Sequence, residues 1–283
     1  MFLVIFSVLL QAYEFSMTPY SVISDTHMIN ENSALLKSKI YDDVIWTLND
    51  SGDIARIFAI KTDGSIVKPN WVKKYSGIKI YDAHNTDWEA MTYDDNGDIL
   101  IIDAGNNYNY RRDLAIYRIK EPNPYLANEH GIIAKYPFEY PDQKGFPDEK
   151  NMNFDCEAAF VFNSKLCLIT KTRSTTRAGV YCFETLVPGK LNLPKKIVEF
   201  DFMNMVSDAS VSPNKKYLAV LTYSSIWLFD IKAKNLNSVF SRFYKKDISL
   251  GQCEGITFLD DKDILVSNED GYLFRFSVDD IKK

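Results

Sequence analysis

Apolar positions along this chain fall in short alternating or continuous runs. Clusters such as Asp94-Asp95-Asn96-Gly97 and Thr62-Asp63-Gly64 separate them, and no long amphipathic helix intervenes. That pattern predicts strands joined by tight turns. A first strand opens on a carboxylate in Trp88-Glu89-Ala90-Met91, Cys156-Glu157-Ala158-Ala159, Ser207-Asp208-Ala209-Ser210 and Cys253-Glu254-Gly255-Ile256. Fourteen positions after each carboxylate a second strand ends on a polar residue, giving Glu89/Asp103, Glu157/Lys171, Asp208/Thr222 and Glu254/Asn268. Third strands are predicted at 55–60, 114–119, 179–183, 225–231 and 272–278. Weaker fourth strands, at 66–73, 132–136, 196–202 and 239–244, suit an exposed outer edge.

A more degenerate copy leads the series. Ser33-Ala34-Leu35 takes the place of the carboxylate segment, and after a turn about two residues longer the run 44–48 ends at Asn49-Asp50. Five units in roughly 250 residues give about 50 residues each, which suits a four-stranded propeller blade. The chain is therefore expected to be all-β, a five-bladed β-propeller. Its last unit has no fourth strand and the segment 17–24 has no partner, so an N-terminal strand is expected to close the ring. A six-bladed ring with an extra blade inside 119–154 is the alternative. Pro122, Pro124, Pro137, Pro141 and Pro147 make that stretch read instead as an insertion loop.

Composition narrows the class. The 283 residues are 46% hydrophobic and 25% charged, ordinary for a globular protein, and 17 Tyr and 18 Phe against 12 Gly suit a strand-rich body. A net charge of −5 with scattered lysines and arginines argues against nucleic acid as a partner. The first ten residues are apolar apart from Ser7, too short to span a bilayer as a helix, and read as a secretory signal over 1–14 cleaved near 12–15. No Lys or Arg precedes that run and no clean small-x-small site follows it; a misassigned start or a buried apolar strand is the plainer alternative. The expectation is an exported protein, secreted or periplasmic, with one propeller domain over 15–283, no membrane span in the mature chain, and a monomeric state. Cys167 and Cys182 lie on successive strands of one blade, placed to pair, whereas Cys156 and Cys253 read as buried thiols.

If the units are radial, Ser33, Glu89, Glu157, Asp208 and Glu254 converge on one axis. Carboxylates crowded in a partly desolvated channel either take up protons or share a cation. Oxygen donors without histidine or thiolate favour calcium, with magnesium second because it demands a tighter octahedron. A single Glu before a strand is usually a solvated turn residue; four in register, each before a small residue, make that reading weaker. The ends of the second strands should open on one mouth, carrying Asn49, Asp50, Asp103, Asn106, Asn107, Lys171, Arg173, Tyr223, Asn268 and Glu269. Acids and cations together suit a small anionic or phosphorylated ligand held by Lys171 and Arg173 beside a bound cation. Hairpin loops chosen only for turn chemistry are the plainer reading.

No GxSxG, GxGxxG or GxxxxGK[ST] is present. The chemistry this inventory supports is metal-assisted attack of water on a phosphate ester or anhydride, with Asp50, Asp103 or Glu269 as candidate bases. A non-catalytic module that recognises a protein or a surface glycan through its outer strands and the loop 121–153, with a purely structural metal, is the competing expectation.

The stretches Trp46-Thr47-Leu48-Asn49-Asp50-Ser51-Gly52, Asn85-Thr86-Asp87-Trp88-Glu89-Ala90-Met91, Ile101-Ile102-Asp103-Ala104-Gly105-Asn106-Asn107 and Cys253-Glu254-Gly255-Ile256 resemble bacterial secreted propellers of the phytase-related, esterase-like kind. The resemblance covers most of the chain. The order Ser, Glu, Glu, polar, Glu around the axis is also similar to the calcium-activated apyrases, in which five blades give serine and glutamate ligands to one central calcium and the enzymes hydrolyse nucleoside diphosphates. By position Ser33, Glu89, Glu157 and Glu254 match that pattern, and Asp208 stands where a serine is expected. The rim loops do not closely reproduce the apyrase nucleotide-binding segments.

Overall fold

The computed structural model describes residues 15–147, 150–171, 173–232 and 235–283, so the expected signal over 1–14 lies outside the described residues. A short strand β1 (Ser21–Val22) precedes five sheets. Blade 1 contains β2 (Asn32–Lys37), β3 (Ile45–Asn49), β4 (Arg56–Ile60), the two-residue β5 (Ile66–Val67) and β6 (Ile78–Tyr81). Blade 2 contains β7 (Trp88–Tyr93), β8 (Ile99–Asp103) and β9 (Ala115–Ile119); then β10 (Glu129–Gly131) leaves to pair in parallel with β6, and β11 (Ala134–Pro137) returns as the outer strand. Blade 3 is β12 (Asp155–Phe162), β13 (Lys165–Lys171), β14 (Arg177–Cys182) and β15 (Lys195–Asp201). Blade 4 is β16 (Val206–Val211), β17 (Tyr217–Thr222), β18 (Ser225–Asp230) and, after the one-turn helix α1 (Leu236–Val239), β19 (Phe243–Asp247). Blade 5 is β20 (Cys253–Phe258), β21 (Asp263–Asn268) and β22 (Tyr272–Ser277), followed by α2 (Val278–Ile281).

The inner strands close a ring: β2 lies beside β7, β7 beside β12, β12 beside β16, β16 beside β20, and β20 beside β2. The ring has five members, so the six-bladed alternative is set aside; the stretch 119–154 supplies only outer strands to blades 1 and 2. β1 pairs antiparallel with β22 as the fourth strand of the last blade, in the manner expected from the unpartnered ends. Blade 1 grips it from the other side: Ser21 Oγ donates to Thr62 O at 2.6 Å and Ser24 N to Gly64 O at 2.9 Å. Gly64 has φ +82°, and a Cβ there would lie 1.9 Å from Val22 O, so only glycine lets the two segments touch.

Two fourth strands differ from expectation. The outer strand of blade 1 is β6 rather than 66–73, because Pro69 and the turn after it break the run and the chain returns later. In blade 4 the expected 239–244 begins inside α1, whose Asn235 cap accepts from Ser238 N, and the strand starts only at Phe243.

Each of five apolar clusters fills the seam between two neighbouring blades. Trp46 and Leu48 point toward blade 2 with Trp88 and Met91, whereas the alternate residue Ile45 joins Phe58, Leu265 and Leu273 in the seam with blade 5. Inner and second strands are thus covered on both faces, which is why their sequences are nearly continuous in apolar residues. Cys167 and Cys182 face each other on β13 and β14 and form a disulfide. Cys156 and Cys253 are buried free thiols, and burial raises the pKa of both. Among the described residues no helix is long and apolar enough to cross a membrane.

Candidate metal centre and its rim

Every inner strand carries one β-bulge near its start, between Asn32 and Ala34, Trp88 and Ala90, Cys156 and Ala158, Val206 and Asp208, and Cys253 and Gly255. The extra residue left out of the ladder is Ser33, Glu89, Glu157, Ser207 and Glu254 in turn. A bulge re-aims its side chain, and here five-fold repetition turns those five side chains toward the pore. The equivalent ladder position on the second strand is Asn49, Asp103, Thr170, Thr222 and Asn268.

This register corrects two sequence readings. Asp208 is not the equivalent of the glutamates; Ser207 is, because the hairpin of blade 4 is longer by one residue. Lys171 lies one residue beyond the equivalent position, which Thr170 holds. Asp208 is fully buried one residue deeper and acts as a strut. Its Oδ2 accepts from Ile256 N at 2.8 Å and Leu35 N at 3.4 Å, and its Oδ1 from Ala209 N at 2.7 Å. Burial raises its pKa well above the carboxylate range, against the pull of those amides.

The ring above Asp208 is buried and rich in acid. Ser33 Oγ donates to Glu89 Oε2 at 2.9 Å, Lys171 Nζ pairs with Glu157 Oε2 at 2.9 Å, and Glu254 Oε1 accepts from Tyr223 OH and Gln252 Nε2, each at 2.9 Å. Glu157 Oε1, Glu254 Oε2 and Ser207 Oγ are buried without a hydrogen-bond partner. Burial raises the pKa of Glu89, Glu157 and Glu254; repulsion adds to it, from Glu157 at Glu89, from Asp155 and Glu254 at Glu157 and from Asp50 at Glu254, with Lys171 opposing the rise at the last two. Burial alone would lower Lys171, but Glu157 and Glu254 hold it firmly protonated.

Two residues ahead of the bulged residues stand Glu31, Asp87, Asp155, Met205 and Gln252, of which Asp155 lies in β12 and the others in the segments that lead into their strands. Asp155 is matched, accepting from Asn106 N at 2.5 Å and Arg173 at 3.1 Å. Asp87 is not. Its Oδ1 has no partner, and burial together with the neighbouring Asp50 raises its pKa to about 8. Carboxylate oxygens of Asp50, Asp87 and Glu89 lie within 4.8 Å of one another, as do those of Glu89, Asp155 and Glu157. Gly105 is what makes room: a Cβ there would lie 2.4 Å from Asp87 Oδ2 and 2.5 Å from Glu89 Oε1.

The expected rim residues divide into two groups. Asn49, Asn106 and Asn268 are buried and hold their loops: Asn49 Nδ2 donates to Asp53 and Met28 O, Asn106 Oδ1 accepts from Arg111 N, and Asn268 Nδ2 donates to Leu250 O. Asp103 is likewise taken, by Arg111 at 2.9 Å and the Asp87 amide at 3.0 Å. Lys171, Arg173, Tyr223, Asn107, Asp50 and Glu269 remain around the mouth. Lys171 Nζ sits 5.0 Å from the Tyr223 ring, and Arg173 donates to Asn107. Glu269 is half-buried; burial, then repulsion from Glu254, Glu31 and Asp50, raises its pKa to about 7. Gln252 donates to both Glu269 and Glu254 and so ties the rim to the ring. Ser207, Asp87, Asp155, Gln252 and Gly105 were missed from sequence, although Asp-x-Glu at 87–89 and 155–157 and Gln-x-Glu at 252–254 were legible as a period of two.

No family model matches the chain, and no curated protein matches it in sequence. A chain in the crystal structure of the mitotic checkpoint complex is similar in structure, at 12% identity and a TM-score of 0.39, over 83% of this chain and 59% of that one. That likeness is too distant to bear on function, and this chain spans under two thirds of that one.

Proposed function

We propose that the pore binds one divalent cation, calcium, among Ser33, Glu89, Glu157, Ser207 and Glu254, and that the mouth above it binds and hydrolyses a phosphorylated small molecule. The observation that carries this reading is the set of buried, unpartnered oxygens on Glu157, Glu254 and Ser207. Buried polar atoms are nearly always satisfied, and a run of such atoms around one axis calls for an ion. The charge balance agrees: with Asp155 matched to Arg173 and Asp103 to Arg111, Lys171 is the one cation among the described residues that forms an ion pair with any of Glu89, Glu157 and Glu254. The donor set of carboxylates and hydroxyls suits calcium. With Ser207 in place of Asp208 the ring reads Ser, Glu, Glu, Ser, Glu, the order implied by the resemblance to calcium-activated apyrases.

A cation in the pore would polarise a phosphoryl oxygen and lower the pKa of a water bound to it. Lys171 and Arg173 place positive charge for the anionic groups of the ligand. Glu269, raised to about 7, suits proton abstraction from water near neutral pH. An exported location fits the Cys167–Cys182 disulfide. The test is phosphate release from nucleoside diphosphates, triphosphates and phytate, with calcium and with chelator. Calcium-dependent release should fall on the order of 100-fold in Glu269→Gln, the usual scale of a lost general base, while calcium affinity stays within about threefold; no release from any of these substrates sinks the catalytic part. The non-catalytic reading keeps one observation in its favour. Tyr108 and Tyr110 on the rim loop are 68% and 59% exposed and stacked with centroids 6.5 Å apart, a surface suited to ring-shaped groups such as sugars. Binding of a glycan without turnover would select it.

A further inference from the structure

We propose that the mouth holds a second divalent-cation site, formed by Asp50 and Asp87 with Glu89 shared between it and the axial site. This rests on the axial-cation reading and adds to it. Three observations carry it. Carboxylate oxygens of Asp50, Asp87 and Glu89 lie mutually within 4.8 Å, in a group separate from the one that Glu89 forms with Asp155 and Glu157. Asp87 is 8% exposed, and its Oδ1 is buried with no partner, whereas its neighbours Asp103 and Asp155 each take a backbone amide and an arginine. Gly105 leaves open the space beside Asp87 Oδ2 and Glu89 Oε1 that any other residue would fill, and its backbone is fixed, since Gly105 N donates to Asp87 O at 3.0 Å and Gly105 O accepts from Arg111 at 2.8 Å.

Among the described residues no Lys or Arg pairs with Asp50 or Asp87. Lys171 is held against Glu157, Arg173 against Asp155 and Arg111 against Asp103 and Asp113. The second site is therefore the place where the mouth lacks positive charge. Asp50 is partly open to solvent, which leaves such an ion room for water and for an outside ligand. Two cations sharing Glu89 would form a clamp of the kind that holds both the attacking and the leaving oxygen of a phosphoryl group, and so select phosphate esters or anhydrides over carboxylic esters.

The experiment is calcium titration of the whole folded chain by calorimetry, with native mass spectrometry of the calcium-loaded protein. Wild type should bind two ions. Asp87→Asn and, independently, Asp50→Asn should bind one, the second ion being weakened on the order of tenfold or more. The double variant Ser207→Ala, Glu254→Gln should lose the axial ion and keep the other, and Glu89→Gln should weaken both. One ion in wild type, unchanged in Asp87→Asn and Asp50→Asn, overturns the second site and leaves the axial reading standing. No ion in wild type overturns both. Two ions in wild type that persist in both single variants also overturn the assignment.

Discussion

Glu89, Glu157 and Glu254 hold carboxylates in a buried ring, where Lys171 offsets part of their charge and protons or a cation must offset the rest. Burial raises all three, and Asp87 and Glu269 rise from 3.8 to about 8 and from 4.5 to about 7. An acid whose folded pKa exceeds its unfolded value binds more protons folded than unfolded between the two. Its contribution to stability is present below the unfolded value and is lost as pH climbs toward the folded one. The melting temperature of the chelated protein should therefore fall between about pH 4.5 and pH 8. Calcium should restore it, most strongly at the upper end, because it replaces the protons that the acids give up there. A chelated protein that melts at the same temperature at both ends of that range would contradict the assignment of these carboxylates to a charge-starved pore. At this scale the glutamates and Ser33 were legible from spacing alone. Ser207 was not, because a one-residue difference in one hairpin is invisible until the ladder is drawn.

The bulge on each inner strand is the element that builds the site. It lifts one residue out of the ladder at the same height in all five blades, and a fixed offset in sequence follows it only where hairpin lengths agree. That is why the fourteen-residue offset locates Glu89/Asp103 and Glu254/Asn268 in true register but slips by one in blades 3 and 4. Asp208, displaced from the ring by that slip, instead ties β16 to β2 and β20 through their backbone amides. Asp208→Ala should cost about 1–3 kcal/mol of stability, since the buried amides of Leu35 and Ile256 lose their acceptor. Asp208→Asn, which keeps an acceptor, should cost less and leave calcium affinity within about threefold of wild type. Denaturant unfolding and calcium titration of the two variants check this; loss of calcium binding in a folded Asp208→Asn protein would return Asp208 to the ligand set.

The whole ring is held by two kinds of contact, the five apolar seams and the clasp of β1 on β22. The seams are distributed, but the clasp is local and involves few residues, so it is the place where the ring should open first. Gly64→Ala puts a Cβ against Val22 O at a left-handed φ, and should lower stability by more than about 1 kcal/mol. Hydrogen exchange should quicken first at Tyr20, Ile23 and Ser24, whose amides donate across the clasp to Leu273, Gly271 and Gly64, with blades 2 to 4 unaffected; uniform protection across the five blades would show that the clasp does not close the ring. The sequence alone determined the repeat, the blade size, the second and third strands, the ring-closing N-terminal segment and the three glutamates, because a strand buried on both faces must be apolar throughout and any carboxylate at its start stands out. The tertiary structure decided the register of the bulges and the pairing of each rim cation with one acid. It also placed Asp50 and Asp87 beside Glu89, 39 and 2 residues apart in sequence. Those depend on hairpin lengths and on contacts between separate blades, where proximity is set by the closing of the ring.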